Sequence, residues 1–179
     1  NSHGTHVAGI IAGSGGLSSG LYAGIAPASQ IVAVKVLDQK GEGKIRFLIE
    51  GIKAILRNRD KWQIRIVNIS IGTLPHQGDE EEMELMRWVD RLWDEGLVVV
   101  TAAGNFGPRS GTVTIPGISK KVITVGASDD GNQKDRYGKV GTNYSGRGPT
   151  SECVCKPDLV APGSYIRSCN GFSQKKNQK

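Results

Sequence analysis

Two histidines stand three residues apart in the opening stretch NSHGTHVAGIIAG, inside a run of Ser, Thr and Gly. His3 and His6 admit three kinds of chemistry. A helical metal site pairs ligands at i and i+4 or sets a carboxylate between them, as in H-E-x-x-H. Here the spacing is i, i+3, with Gly4 and Thr5 close by and no acid, so that pattern is not met. Polar capping of a helix start is the second reading, and it suits His6. General-base chemistry is the third, and it suits His3, because the positive end of a helix favours a neutral ring that accepts a proton. The residues alone leave His3 open between capping and base chemistry.

The second such stretch is TAAGNFGP, Thr101–Pro108. Small residues and Gly104 permit close approach of another chain. Asn105 then reads in two ways: as a turn former in Asn-x-Gly, or as a side-chain amide aimed at a developing negative charge. Cys153, Cys155 and Cys169 are an odd number, and C-V-C is too tight for zinc spacing with no histidine nearby. They read as free thiols.

The elements that must position these residues follow from hydrophobic patterning. Ile31–Leu37, Ile64–Ile71, Leu97–Ala103 and Val122–Ala127 are near-continuous apolar runs rich in Val and Ile, as strands buried on both faces are. Ile45, Leu48, Ile49, Ile52, Ile55 and Leu56 form one helix face, and Leu85, Val89, Leu92 and Trp93 form a second. Acids from Asp79 onward load the first turn of that second helix, and Gly96 stops it. A further helix starts near Ser2–Thr5 and ends at Gly13. Strand–helix–strand order predicts an α/β fold with a central, mostly parallel sheet, whose sites lie beyond the carboxyl ends of the strands. DQKGEGK, SIGT and AAGNFG all fall there.

Composition narrows the function. The chain has 179 residues, the length of one domain, and shows no internal repeat or linker. Its formal net charge is +6, which invites a nucleic-acid reading. The bases between Lys44 and Arg65 lie mostly on the polar side of an amphipathic segment without aromatic interleaving, so a solvated helix face is expected and no nucleic-acid partner. No stretch approaches the roughly 20 apolar residues that span a bilayer, so no membrane partner is expected either. A nucleotide site needs G-x-G-x-x-G or a P-loop, and the first strand is followed only by G-E-G-K.

Taken together and in order, HGTHVAG (His3–Gly9), SIG (Ser70–Gly72), AAGN (Ala102–Asn105), YSGRGP and KPDLVAPG resemble the subtilisin-like serine proteases, from the first residue to about Gly163. The resemblance implies a three-layer fold with helices flanking the central sheet, and serine-type endopeptidase activity. It implies that His3 is the general base and Asn105 the side-chain donor of an oxyanion hole. It further implies that Ser70–Ile71–Gly72 and Gly41–Glu42–Gly43 are two edges between which a polypeptide substrate binds as an added β-strand. Ala102, Ala103 and Gly104, with Ser70–Gly72, would wall the pocket for the residue before the scissile bond. Ile45 would rim an apolar pocket three residues upstream. A monomer is expected, and the turn at Ile115–Pro116 is expected to be cis.

The departures matter equally. The family's order is Asp, His, Ser, yet no Asp motif precedes His3 and no G-T-S-M-A follows. Ser70 and Ser145 match non-catalytic positions, and Ser173 lacks a Gly-rich turn. Residues 1–179 are therefore expected to be a peptidase domain truncated at both ends, inactive alone and active when whole; the alternative is a catalytically dead homologue that acts as a binding or scaffolding domain, decided by the residues at the missing positions. No cofactor is expected. Calcium occurs in the family, but Gly13–Gly24 carries no carboxylate or Asn, so no metal site is assigned. Location stays open between secreted and cytoplasmic.

Overall fold

The computed structural model describes residues 2–128 and 143–171. The chain forms two compact units, Asn1–Gly43 with Arg167–Lys179, and Lys44–Ile166. In the first unit, α1 (His3–Ala12) leads into a short turn of 3₁₀ helix at Gly16–Ser18. The second holds α2 (Ile45–Asn58), β1 (Ile66–Ile69), α3 (Glu80–Asp94), β2 (Val98–Ala102), β3 (Ile123–Ala127) and β4 (Leu159–Ala161). No helix among the described residues is long and apolar enough to cross a membrane.

The four strands form one parallel sheet in the order β1-β2-β3-β4. Val67 pairs with Val99 and Ile69 with Thr101, which sets these inward residues side by side. They pack with Ile49, Ile52 and Ile55 of α2 and Leu85, Val89 and Leu92 of α3 in one apolar cluster. The alternate residues Ile66, Asn68 and Val98 are exposed. The apolar runs predict burial on both faces; the described sheet is buried on one. α3, which connects β1 to β2, packs on that buried face together with α2.

Ile31–Leu37 is not a strand. No described residue forms a ladder with it, and Ile31, Val32 and Val34 are exposed. A strand is a property of pairing as much as of sequence, and this segment belongs to the unit whose described residues form no sheet. Conversely β4, within KPDLVAPG, has only three residues and gives no periodic signal. It is held by chemistry at its entry. Lys156, 6% exposed, donates from Nζ to the Val122 carbonyl at 2.8 Å and to Asp158 Oδ2 at 2.6 Å. The same Asp158 oxygen accepts from the Thr124 N–H. Burial works to raise the Asp158 carboxyl, but the Lys156 ammonium and the Thr124 amide outweigh it and hold it below its usual range.

The start of α3 is built as its acids predict, with an addition. Asp79 caps the helix by accepting from the Glu82 N–H at 3.1 Å. Glu82, 5% exposed, reaches back to the preceding loop: its two oxygens accept from the His76 N–H and meet His76 Nδ1, each at 2.7 Å. The Glu82 carboxylate raises the His76 pKa above its ordinary 6.5. A histidine stabilised as the cation in the folded state contributes fully below its unfolded value and loses that contribution as pH rises through its folded one. The melting temperature of the protein is therefore expected to fall relative to that of His76→Gln as pH is raised from about 6.5 upward, with no such divergence below. In the core, Leu92→Ala is expected to destabilise by about 2–5 kcal/mol in urea denaturation, since the leucine is fully buried between helix and sheet.

Candidate active site

Within the larger unit, all the residues expected to bind substrate except Ile45 lie at or past the carboxyl ends of β1 and β2. Ser70–Gly72 continues β1, and Ala102–Asn105 leaves β2. Their positions are fixed by backbone bonds outside the ladders. The Ala103 N–H donates to the Val125 carbonyl at 2.9 Å, and the Thr114 N–H donates to the Ala103 carbonyl at 3.1 Å. The Gly146 N–H closes on the Gly104 carbonyl at 2.8 Å. Gly104 has φ +89°, a conformation that only glycine adopts without strain, and it turns the chain so that Asn105 emerges exposed. Ala103 is buried, while Ala102 and Gly104 are half-buried.

Ser70–Gly72 is not part of a strand in the described structure. Ser70 accepts at Oγ from Asn68 Nδ2 at 2.7 Å, and the next residue, Thr73, forms an antiparallel bridge to Ile115, whose N–H donates to the Thr73 carbonyl at 2.9 Å. A Cβ on Gly72 would stand 2.6 Å from the Ile115 carbonyl oxygen, so the two chain segments meet at a distance only glycine permits. Ile115–Pro116 is cis, as the resemblance implied. Ile45 is the half-buried first residue of α2. Ser145, read as non-catalytic, is buried and accepts at Oγ from the Ala127 N–H. Ser173 lies outside the described residues.

In the smaller unit His3 is the first residue of α1 and is exposed. The Ser2 carbonyl accepts from the His6 N–H at 2.9 Å, and the His6 carbonyl accepts from Ser168 Oγ at 2.8 Å. Ser2 makes no side-chain cap. Gly9 is buried because the 168–169 segment crosses it: a Cβ there would stand 2.8 Å from Cys169 Sγ and 2.9 Å from its backbone nitrogen. Gly41–Glu42–Gly43 forms a turn rather than a strand edge. Asp38 organises it, accepting at Oδ1 from the Lys40 and Glu42 N–H groups at 2.8 and 2.9 Å, while its own N–H donates to the Glu42 carbonyl. These donors, the Glu42 amide foremost, hold the Asp38 carboxyl below its usual range. Gly41 takes φ +88° at the tip. The turn signal was present in the sequence as Asp-x-x-Gly.

Two places could be asked to hold a cation. Gly13–Gly24 presents only hydroxyl and carbonyl oxygens, and the carbonyls of Gly13, Gly15, Ser18 and Gly20 accept hydrogen bonds within the loop. These residues do not make the carboxylate-bearing oxygen cage that calcium prefers. His76, Asp79 and Glu82 bring their ligand-type atoms within 4.8 Å of one another, a grouping the sequence reading missed. Both Glu82 oxygens and one Asp79 oxygen are already engaged by the hydrogen bonds of the helix start, so the cluster's work is capping. The three cysteines are free and exposed.

Known proteins match this chain along most of its length. The Subtilase family profile covers residues 1–179. Serine protease AprX of Bacillus subtilis (strain 168) is 44% identical over 98% of this chain and 41% of its own length. Subtilisin NAT of Bacillus subtilis subsp. natto is 36% identical over 94% of this chain and 38% of its own length. Among solved structures, Sphericase superposes with a TM-score of 0.76 at 28% identity, over 95% of this chain and 55% of that one. The S41 psychrophilic protease gives 0.74 at 29% identity, over 94% and 54%. The chain thus spans about two fifths of these curated relatives and about half of the solved structures. Its parallel sheet, its glycine-dependent turns beyond β1 and β2, and these matches along its whole length place the chain in the subtilase family.

Proposed function

We propose that this chain is the part of a serine endopeptidase that supplies the general base and one oxyanion donor. The observation that carries the reading is HGTHVAG at the start of α1 together with AAGN at the end of β2, in a chain 44% identical to a serine protease. His3 takes the proton from a serine hydroxyl contributed by residues outside the 179. The serine oxygen then bonds to the scissile carbonyl carbon, and the carbonyl π electrons move onto its oxygen. Asn105 donates its side-chain N–H to that oxyanion, a contact that strengthens as the charge develops. The C–N bond breaks as His3 returns the proton to the leaving amine, and water repeats the sequence to release the acid. An aspartate, also from outside these residues, orients the imidazole. Substrate adds its backbone along Ser70–Gly72 as an extended strand.

Four outcomes are expected from a peptide-hydrolysis assay. The intact protein turns over a chromogenic peptide. Asn105→Ala lowers kcat by about 10²–10³, a magnitude established in subtilisin itself. His3→Ala lowers it by about 10⁴–10⁶. Residues 1–179 alone give no turnover above blank, because a base and one donor without a nucleophile form no acyl-enzyme. Turnover by the 179 residues, or an intact protein that is inert towards peptides, would sink this reading; the latter would leave a catalytically dead subtilase that binds rather than cleaves.

A further inference from the structure

We infer that Cys153 and Cys155 are the two thiolate ligands of a site for one soft, low-coordinate metal ion, Cu(I) by the chemistry of its donors. The site lies in the loop that enters β4, and the inference is independent of the peptidase reading above.

The loop is a hairpin with a three-residue turn. The Gly148 N–H donates to the Lys156 carbonyl, and the Thr150 N–H to the Val154 carbonyl, each at 2.9 Å. The Cys153 N–H closes the turn on the Thr150 carbonyl, also at 2.9 Å. Thr150 Oγ1 accepts from the Val154 N–H at 3.2 Å. Thr150 is buried, so both backbone groups of Val154 are fixed to an anchored residue. At the tip, Lys120 Nζ meets Glu152 Oε2 at 2.8 Å. Exposure alternates along this pinned segment: Cys153 is exposed, Val154 half-buried, Cys155 exposed and Lys156 buried. An extended chain points residues i and i+2 to one side, so both thiols face solvent together.

Spacing decides what the pair can hold. Two residues of extended chain advance about 6.5 Å, whereas a disulfide brings its Cβ atoms to about 3.5–4.5 Å. Two thiolates on one ion, with metal–sulfur bonds of roughly 2.3 Å, stand up to about 4.6 Å apart, a span that two side chains leaning together can reach. Zinc asks for four ligands. Among the described residues, the three ligand-type side chains gathered within 4.8 Å of one another are His76, Asp79 and Glu82, and no third His, Cys or carboxylate joins the two thiols in this way. Soft thiolates without further ligands suit Cu(I), and each thiol gives up its proton as its metal–sulfur bond forms. The fold also keeps a cysteine where the turn favours glycine. Cys153 has φ +58°, the left-handed position that ends a three-residue hairpin turn.

The test titrates the intact protein, reduced and without oxygen, with Cu(I) held by a chromogenic chelator. Wild type is expected to take one equivalent of Cu(I) more than Cys153→Ser or Cys155→Ser, while Cys169→Ser matches wild type. Cys153→Gly is expected to lose the same equivalent. Because glycine suits the turn, this variant melts at or above metal-free wild type, so its loss of metal is not a loss of fold. Cu(I) raises the melting temperature of wild type and leaves that of Cys153→Gly where it was. Equal Cu(I) uptake by wild type and the variants at 153 and 155 overturns the inference, as does loss of the equivalent in Cys169→Ser. Displacement of the bound Cu(I) by an equal concentration of Zn(II) overturns the choice of ion and with it the two-ligand site. A Cys153–Cys155 disulfide recovered by mass spectrometry after air oxidation overturns the spacing argument and makes the pair a redox couple instead.

Discussion

Backbone donors and acceptors do not stop needing partners where a strand stops, and that constraint organises everything beyond the carboxyl end of this sheet. β2 ends at Ala102, but the Ala103 amide still finds the Val125 carbonyl, and the Ala103 carbonyl still finds the Thr114 amide. The Gly104 carbonyl is taken by Gly146. Three segments distant in sequence are thereby fastened around the same few residues. The exposed position of Asn105 follows from the fastening and from the left-handed turn at Gly104. Were the turn residue to carry a Cβ, it would collide with Thr114.

The same economy explains the supporting parts. α2 and α3 cover one sheet face with Ile, Leu and Val, so the strands are held from behind while their ends stay open. Lys156 joins the carbonyl of Val122, just before β3, to the carboxylate of Asp158, just before β4. A charge this buried is tolerable only with partners on hand, and here a carbonyl and a carboxylate both serve. At α3 the cap is extended by Glu82, which spends its oxygens on His76 and so ties down the loop that runs from Gly72 to Gly78. That loop begins at Gly72, against the Ile115 carbonyl. The helix cap and the chain segment past β1 are thus parts of one continuous, hydrogen-bonded stretch.

Periodicity was a sound guide where burial imposed it. The stripes on α2 and α3 and the inward residues of β1 and β2 fall where their spacing places them. It misled at Ile31–Leu37, where an apolar run rich in Val and Ile has no ladder partner among the described residues, because pairing depends on neighbours that composition does not reveal. It was silent at β4, which is too short to have a period and is placed by Lys156 and Asp158. Glu82 shows a third limit: an acid in a first helical turn reads as a dipole partner, and nothing in its neighbourhood signals that it is buried against His76.

Motif order and spacing in the sequence determined the family, the parallel α/β architecture and the identity of the residues with chemical potential, His3 and Asn105 among them. Those properties are local: a histidine at a helix start and an asparagine after a glycine turn can be read in a line. Tertiary structure decided what lies between the segments past β1 and β2. Gly72, Gly104 and Thr114 are dozens of residues apart or separated by a turn, and only the parallel register and the bonds past the strand ends bring one threonine against both glycines. Close approach through missing Cβ atoms leaves no pattern in a sequence, since each glycine there looks like any other.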